Sequence, residues 1–74
     1  MRPPITPYRA ILGAIAEGYT TKGSALREAY RVLSDAGNHT GQHDLNCSWS
    51  ILAHDGRIEK RGRAWHVVEN EVAP

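Results

Sequence analysis

The stretch from Ser50 to Val67 reads SILAHDGRIEKRGRAWHV and contains the end of a helix followed by a β-hairpin. The pair Asp55-Gly56 is a turn signal, after which Arg57 to Lys60 and Ala64 to Val68 have the composition of short strands. They are joined by the connection Arg61 to Arg63, which contains a central glycine. The stretch therefore predicts a hairpin that follows directly on a helix.

The predicted hairpin has one apolar face. Period-two alternation places Ile58 on one face of the first strand, with Trp65 and Val67 on the inner side of the facing strand. We expect this face to pack on the helices. Trp49 and Trp65 could stack on nucleic-acid bases, but both fall on predicted inward faces, which favours core packing.

Two helices are predicted in the first half of the chain. Thr6-Pro7 is typical of a helix start, and the first helix runs from Pro7 to Glu17, with Gly18 as its stop. The second runs from Ser24 to Ala36, with a glycine again placed as its stop. Spacing of i, i+3, i+4 and i+7 predicts their buried stripes, which are Tyr8, Ile11, Leu12 and Ile15 in the first and Leu26, Ala29, Tyr30 and Leu33 in the second.

A third helix is predicted after a short polar connection, with Thr40 as its N-cap and its end near His54. At 100° per residue, its two faces separate cleanly. The inner face holds Leu45, Ser48, Trp49 and Leu52, and the outer face holds His43, Cys47, Ser50 and His54. The outer face is therefore available for a partner.

Length and composition bound the kind of protein. Seventy-four residues, 41 % of them hydrophobic and 23 % charged, are enough for one folded domain. We expect it to span residues 7–68, between an extended arm at 1–6 and a flexible acidic tail at 69–74. The single cysteine, Cys47, and the lack of a signal peptide or membrane span predict a cytoplasmic protein without membrane partners.

From Pro7 to Val68 the order helix, helix, short turn, helix, basic hairpin resembles the winged helix-turn-helix superfamily, which implies an α+β, mainly α, fold. The resemblance implies a third helix in the DNA major groove, with base readers at Gln42, His43, Asn46, Cys47 and Ser50. It also implies that the hairpin, or wing, contacts DNA phosphates through Arg57, Lys60, Arg61 and Arg63.

The function expected from this resemblance is sequence-specific binding of double-stranded DNA, as a transcriptional regulator of a mobile element or phage. A palindromic target would call for a homodimer. The net charge is only +1, however, and the third helix holds Asp44 and no lysine or arginine. The alternative is a winged-helix interaction module that binds or inhibits a host nucleoprotein or defence complex, with the wing cations facing an acidic protein.

Three small groups of residues allow other interpretations, namely a metal site, a catalytic pair and a surface ion pair. His39, His43 and Cys47 recur at four-residue steps, as metal ligands on one helical face would, and Cys47 beside His43 could form a nucleophile and base. With no fourth ligand and no orienting group in sight, we expect no metal, no cofactor and no enzyme activity. Arg31 and Asp35 are expected to form an ordinary surface pair on the second helix.

Overall fold

The computed structural model describes residues 5–68 of the chain. Three helices are followed by a two-stranded antiparallel sheet, which is the mainly α, α+β layout predicted from the sequence and is consistent with a winged helix. The elements are α1 (Pro7–Ala16), α2 (Lys22–Asp35), α3 (Gln42–His54), β1 (Ile58–Arg61) and β2 (Ala64–Val67). The predicted tail at 69–74 lies outside the described residues.

Side-chain caps fix the starts of the first two helices. Thr6 Oγ1 accepts the N–H of Arg9 at 3.2 Å, as the Thr6-Pro7 pair predicted. Thr21 Oγ1 accepts the N–H of Ser24 at 3.2 Å, and the Ser24 hydroxyl accepts the N–H of Thr21 at 3.4 Å. This reciprocal capping box begins α2 at Lys22, two residues before the predicted start.

The predicted cap of α3 is wrong. The helix begins after Gly41, without a side-chain cap, because Thr40 Oγ1 instead donates to Asn38 Oδ1 at 2.9 Å. Asn38 in turn donates from Nδ2 to the Ile5 carbonyl at 3.0 Å, and Ile5 packs against the core. The polar side chains of this connection therefore bind Ile5 rather than cap the helix.

Each helix ends in a Schellman motif, in which a glycine with positive φ turns the chain. At the end of α3 the N–H of Arg57 donates to the Leu52 carbonyl at 2.9 Å, and Gly56 has φ +76°. The same bonds close α1 at Gly18 and α2 at Gly37, so both predicted stops are confirmed. The motif after α3 leads directly into β1.

The core is shared by all three helices and the hairpin. Its buried members are Ala10, Ile11, Ala14, Ile15, Ala25, Leu26, Ala29, Leu33, Leu45, Trp49, Leu52 and Ile58. Tyr8 and Tyr30, which the spacing placed on the buried stripes, are 37 % and 43 % exposed. Alanines of α1 and α2 are buried in the core instead, and Tyr30 lines the open groove between α2 and α3.

The hairpin closes through a two-residue turn, Gly62-Arg63, rather than the predicted three-residue connection. Arg61 pairs with Ala64 and therefore belongs to β1, and Gly62 has φ +64°, as a type II′ turn requires. Beyond the strands, the N–H of Val68 still donates to the Arg57 carbonyl at 2.9 Å. The pairing thus covers nearly the whole stretch that the sequence identified.

The hairpin is fastened to the helices on its apolar face, as predicted. Ile58 is 1 % exposed, and Trp65 and Val67 pack against the core. The N–H of Trp65 also donates to the carbonyl of Thr20 at 2.8 Å, which ties β2 to the connection between α1 and α2. No helix within residues 5–68 is long and apolar enough to cross a membrane.

Candidate nucleic-acid interface

The two faces of α3 lie as the periodicity predicted. Leu45, Ser48, Trp49 and Leu52 are buried, and the rest of the helix surface is open. All five predicted base readers are exposed, namely Gln42, His43, Asn46, Cys47 and Ser50. The buried side anchors α3 at four positions, so the exposed side chains are presented from a fixed backbone.

The five predicted base readers do not all project from the same side of α3. Gln42 and Asn46 lie on the side of α3 that faces α2, where they line an open groove of about 430 Å³. His43, Cys47 and Ser50 lie directly opposite the buried face and do not line this groove. The amides therefore form one subset of the site, and the outward residues form another.

The Asn46 side chain folds back along its own helix. Its Nδ2 donates to the Gln42 carbonyl at 3.0 Å. A carboxamide has two N–H donors and a carbonyl acceptor, so Asn46 keeps one donor and its acceptor available. That donor and acceptor are the two groups that a bidentate contact with adenine uses.

Two cations line the same groove as the amides, and neither is among the predicted DNA contacts. Lys22 is the first residue of α2. Arg27 lies on the following turn of α2, on the side that faces α3. Sequence analysis missed Lys22 because it placed the helix start at Ser24, which left the lysine in a loop. The signal that could have found it is Thr21 followed three residues later by Ser24, a capping pair that makes residue 22 helical.

Arg31 lies one turn beyond Arg27 on α2, does not line the groove and is ion-paired. Its guanidinium donates to Glu28 at 2.6 Å and to Asp35 at 2.9 Å, which confirms the predicted surface pair with Asp35. The hydrogen bonds from Arg31 hold the pKa of the Glu28 carboxyl below its ordinary value. The same contacts raise the pKa of Arg31. Arg31 is therefore a poor candidate for contact with phosphate, whereas Arg27 is a good one.

The hairpin cations do not form a single cluster. Lys60 lies on the same face of the hairpin as Ile58, because side chains alternate along β1 and Lys60 pairs with Trp65. Arg61 projects from the opposite face. Arg61 is ion-paired with Glu59 on the same strand. Within residues 5–68, Arg57, Lys60 and Arg63 make no ion pair and are exposed.

The histidine and cysteine of the outer face are in contact. Cys47 Sγ lies 3.6 Å from His43 Nε2, and both side chains are exposed. His39 precedes α3, so His39, His43 and Cys47 do not form a row on one helix. Among residues 5–68, no three or more histidine, cysteine or acidic side chains converge as a metal site would require.

Comparison with family models, with curated proteins and with solved structures gave no match. The chemistry of this surface, with amides and cations along one groove and a histidine–cysteine pair beside it, is therefore the basis for any assignment of function.

Proposed function

We propose that this chain is a small winged-helix protein that binds double-stranded DNA in a sequence-specific manner and regulates transcription. The observation that carries the proposal is the groove between α2 and α3. There the carboxamides of Gln42 and Asn46 lie beside the cations of Lys22 and Arg27. Amides read base edges and cations bind phosphates, so one surface holds both kinds of contact.

The shape of α3 suits the major groove, which is wide enough to admit a helix. Its 13 residues extend over about 20 Å at the usual rise of about 1.5 Å per residue. Because Leu45, Trp49 and Leu52 anchor the helix in the core, little ordering would be needed on binding. In the bound form, the outward residues His43, Cys47 and Ser50 would approach the base edges beside the amides.

Attraction to DNA would come from both sides of α3, since the helix itself has no lysine or arginine and carries Asp44. Lys22 and Arg27 lie on one flank. The hairpin, which follows the end of α3, supplies Arg57, Lys60 and Arg63 without ion pairs among the described residues. These five cations are the ones that would neutralise phosphates.

The proposal is tested by fluorescence anisotropy with a labelled random duplex, titrated at several salt concentrations. We expect binding whose log K falls with log salt at about −0.9 per phosphate contact. Lys22→Ala and Arg27→Ala should each reduce that slope by about one. Arg31→Ala removes the same charge from the same helix and serves as the matched control, because its guanidinium is held by Glu28 and Asp35.

Selection of bound sequences from a random library then tests specificity. We expect the selection to enrich a sequence motif. Asn46→Ala should relax the preference for that motif and leave the salt slope unchanged. Absence of binding at about 50 mM salt would overturn the proposal, because phosphate contacts are strongest at low salt.

A protein partner is the second candidate, and one observation favours it. Ile51 is 45 % exposed on α3, which has no cation of its own. An apolar contact at Ile51 flanked by the hairpin cations would fit an acidic protein surface. Ile51→Ser should abolish capture of such a protein and leave the salt slope for DNA unchanged, which separates the two candidates.

A further inference from the structure

The contact between His43 and Cys47 has the dimensions of a metal-binding pair. Their ligand atoms, Nε2 and Sγ, lie 3.6 Å apart on successive turns of α3. In a tetrahedral zinc site with ordinary Zn–N and Zn–S lengths, these two atoms are separated by about 3.6 Å. The helix therefore holds the two ligands at the bite of a tetrahedral site before any metal arrives.

No lysine or arginine side chain of α3 would repel a metal ion at this pair. No lysine or arginine occurs between Gln42 and His54, whereas Asp44 lies in the first turn of the helix. Metal binding would convert the Cys47 thiol to a thiolate, with release of one proton to solvent for each sulfur bound. A neutral imidazole and a thiolate are the ligands that zinc takes in proteins.

One chain supplies only half of a closed site. No third ligand converges on the pair within residues 5–68, and a structural zinc site needs four. Ile51 lies one turn beyond Cys47 and is 45 % exposed, so the surface beside the pair includes an apolar side chain that a partner could cover. A two-fold axis through the metal would bring a second copy of both features to the same place.

We infer that His43 and Cys47 are half of a zinc site, and that two copies of this chain complete it as a Cys₂His₂ centre. The two α3 helices then face each other across the metal, and the two Ile51 side chains are buried in the contact. The inference does not depend on DNA binding, because it rests on the ligand pair and the open surface around it.

The test is a zinc titration of the purified chain under a phosphine reductant, which excludes a disulfide through Cys47. Analytical ultracentrifugation should show the mass of two chains, with one zinc bound per two chains. Replacement of zinc by Co²⁺ should give a thiolate-to-cobalt charge-transfer band and the visible absorption of tetrahedral cobalt. A band without a change in mass, or one zinc per chain, would overturn the shared site.

Substitutions identify the ligands. His43→Asn and Cys47→Ser should each abolish both the cobalt band and the dimer, with the circular dichroism of the folded chain unchanged since both positions are exposed. His54→Asn alters another outward histidine of the same helix and is the matched control, which should bind zinc normally. If His39→Asn weakens binding instead, the ligands come from within one chain and the shared site is wrong.

Discussion

The indole rings of Trp49 and Trp65 meet edge to face, with their centroids 5.0 Å apart and their planes inclined at 77°. One ring belongs to α3 and the other to β2, so this contact joins the proposed reading helix to the hairpin. Edge-to-face aromatic pairs contribute about 0.5 to 1.5 kcal/mol beyond their burial. The pair therefore sets the position of the hairpin relative to α3.

Truncation of the second indole should be costly. Trp65→Ala is expected to lower the free energy of unfolding by about 3 kcal/mol, since it leaves a cavity against Trp49. Trp65→Phe keeps an aromatic ring and should cost about half as much. Urea unfolding followed by circular dichroism measures both. Tyr8→Ala is the control, because Tyr8 is 37 % exposed, and a loss as large as that of Trp65→Ala would contradict the assigned role of the pair.

The turn after α3 depends on one glycine. Gly56 has φ +76° and no atom within 4 Å of an added Cβ, so Gly56→Ala has only a backbone cost, of about 1 to 2 kcal/mol. Gly13 lies inside α1 and is equally uncrowded, so Gly13→Ala should stabilise the protein by about 0.5 to 1 kcal/mol. Thermal unfolding should show shifts of opposite sign; shifts of the same sign would contradict the conformational explanation.

The hairpin could be predicted from local sequence signals. Asp55-Gly56 and Gly62 specify turns, and the alternation around Ile58 and Trp65 has one register that places both on the core-facing side. The inner face of α3 was equally clear because Leu45, Trp49 and Leu52 repeat with the helical period. These features are set by neighbours in sequence, so no tertiary information was needed.

Other features depend on tertiary contacts that periodicity does not encode. Tyr8 and Tyr30 have the spacing of core residues but are exposed, and Tyr30 lines the groove between α2 and α3. Thr40 has a side chain suited to cap a helix, but its hydroxyl donates to Asn38 instead. Lys22 lines the proposed DNA-binding groove only because that groove is formed by two helices packed together.

Acid should weaken the ion pairs on α2. The Arg31 guanidinium lowers the pKa of Glu28 in the folded state, so this contact stabilises the protein above the ordinary carboxyl pKa of 4.5. The stabilisation is lost as pH falls through the lowered folded-state value. Urea midpoints measured from about pH 6 to about pH 3 should fall less for Glu28→Gln than for the unmodified chain. An identical decline would show that this pair contributes nothing to acid sensitivity.

The hairpin arginines should differ in their contribution to DNA binding. Arg63→Ala is expected to reduce the salt slope by about one, because Arg63 lies at the turn without an ion pair in residues 5–68. Arg61→Ala should reduce it less, since Glu59 already neutralises that guanidinium. Glu59→Gln removes the ion pair of Arg61 and should make the salt dependence of DNA binding steeper. Equal slopes for the two arginine variants would contradict this ranking.

Zinc and DNA should compete if both proposals hold, because His43 and Cys47 belong to the surface that would enter the major groove. DNA affinity is expected to fall by about tenfold when free zinc is about ten times its dissociation constant. Cys47→Ser should remove the zinc effect, so that this variant has the same DNA affinity with and without zinc. Anisotropy with and without zinc measures the competition, and simultaneous binding of both would place the DNA elsewhere on the molecule.

The hydrogen bond from Trp65 to the Thr20 carbonyl bears on how the molecule opens. A pair of four-residue strands would ordinarily open and close many times before the helices unfold. Here the hairpin lifts away only if this hydrogen bond and the packing of Ile58, Trp65 and Val67 on the core are lost together. The amide of Trp65 should therefore exchange with solvent only when the whole domain unfolds, as a member of its most protected cooperative unit. Any partner would meet a stiff hairpin that is already in its final orientation.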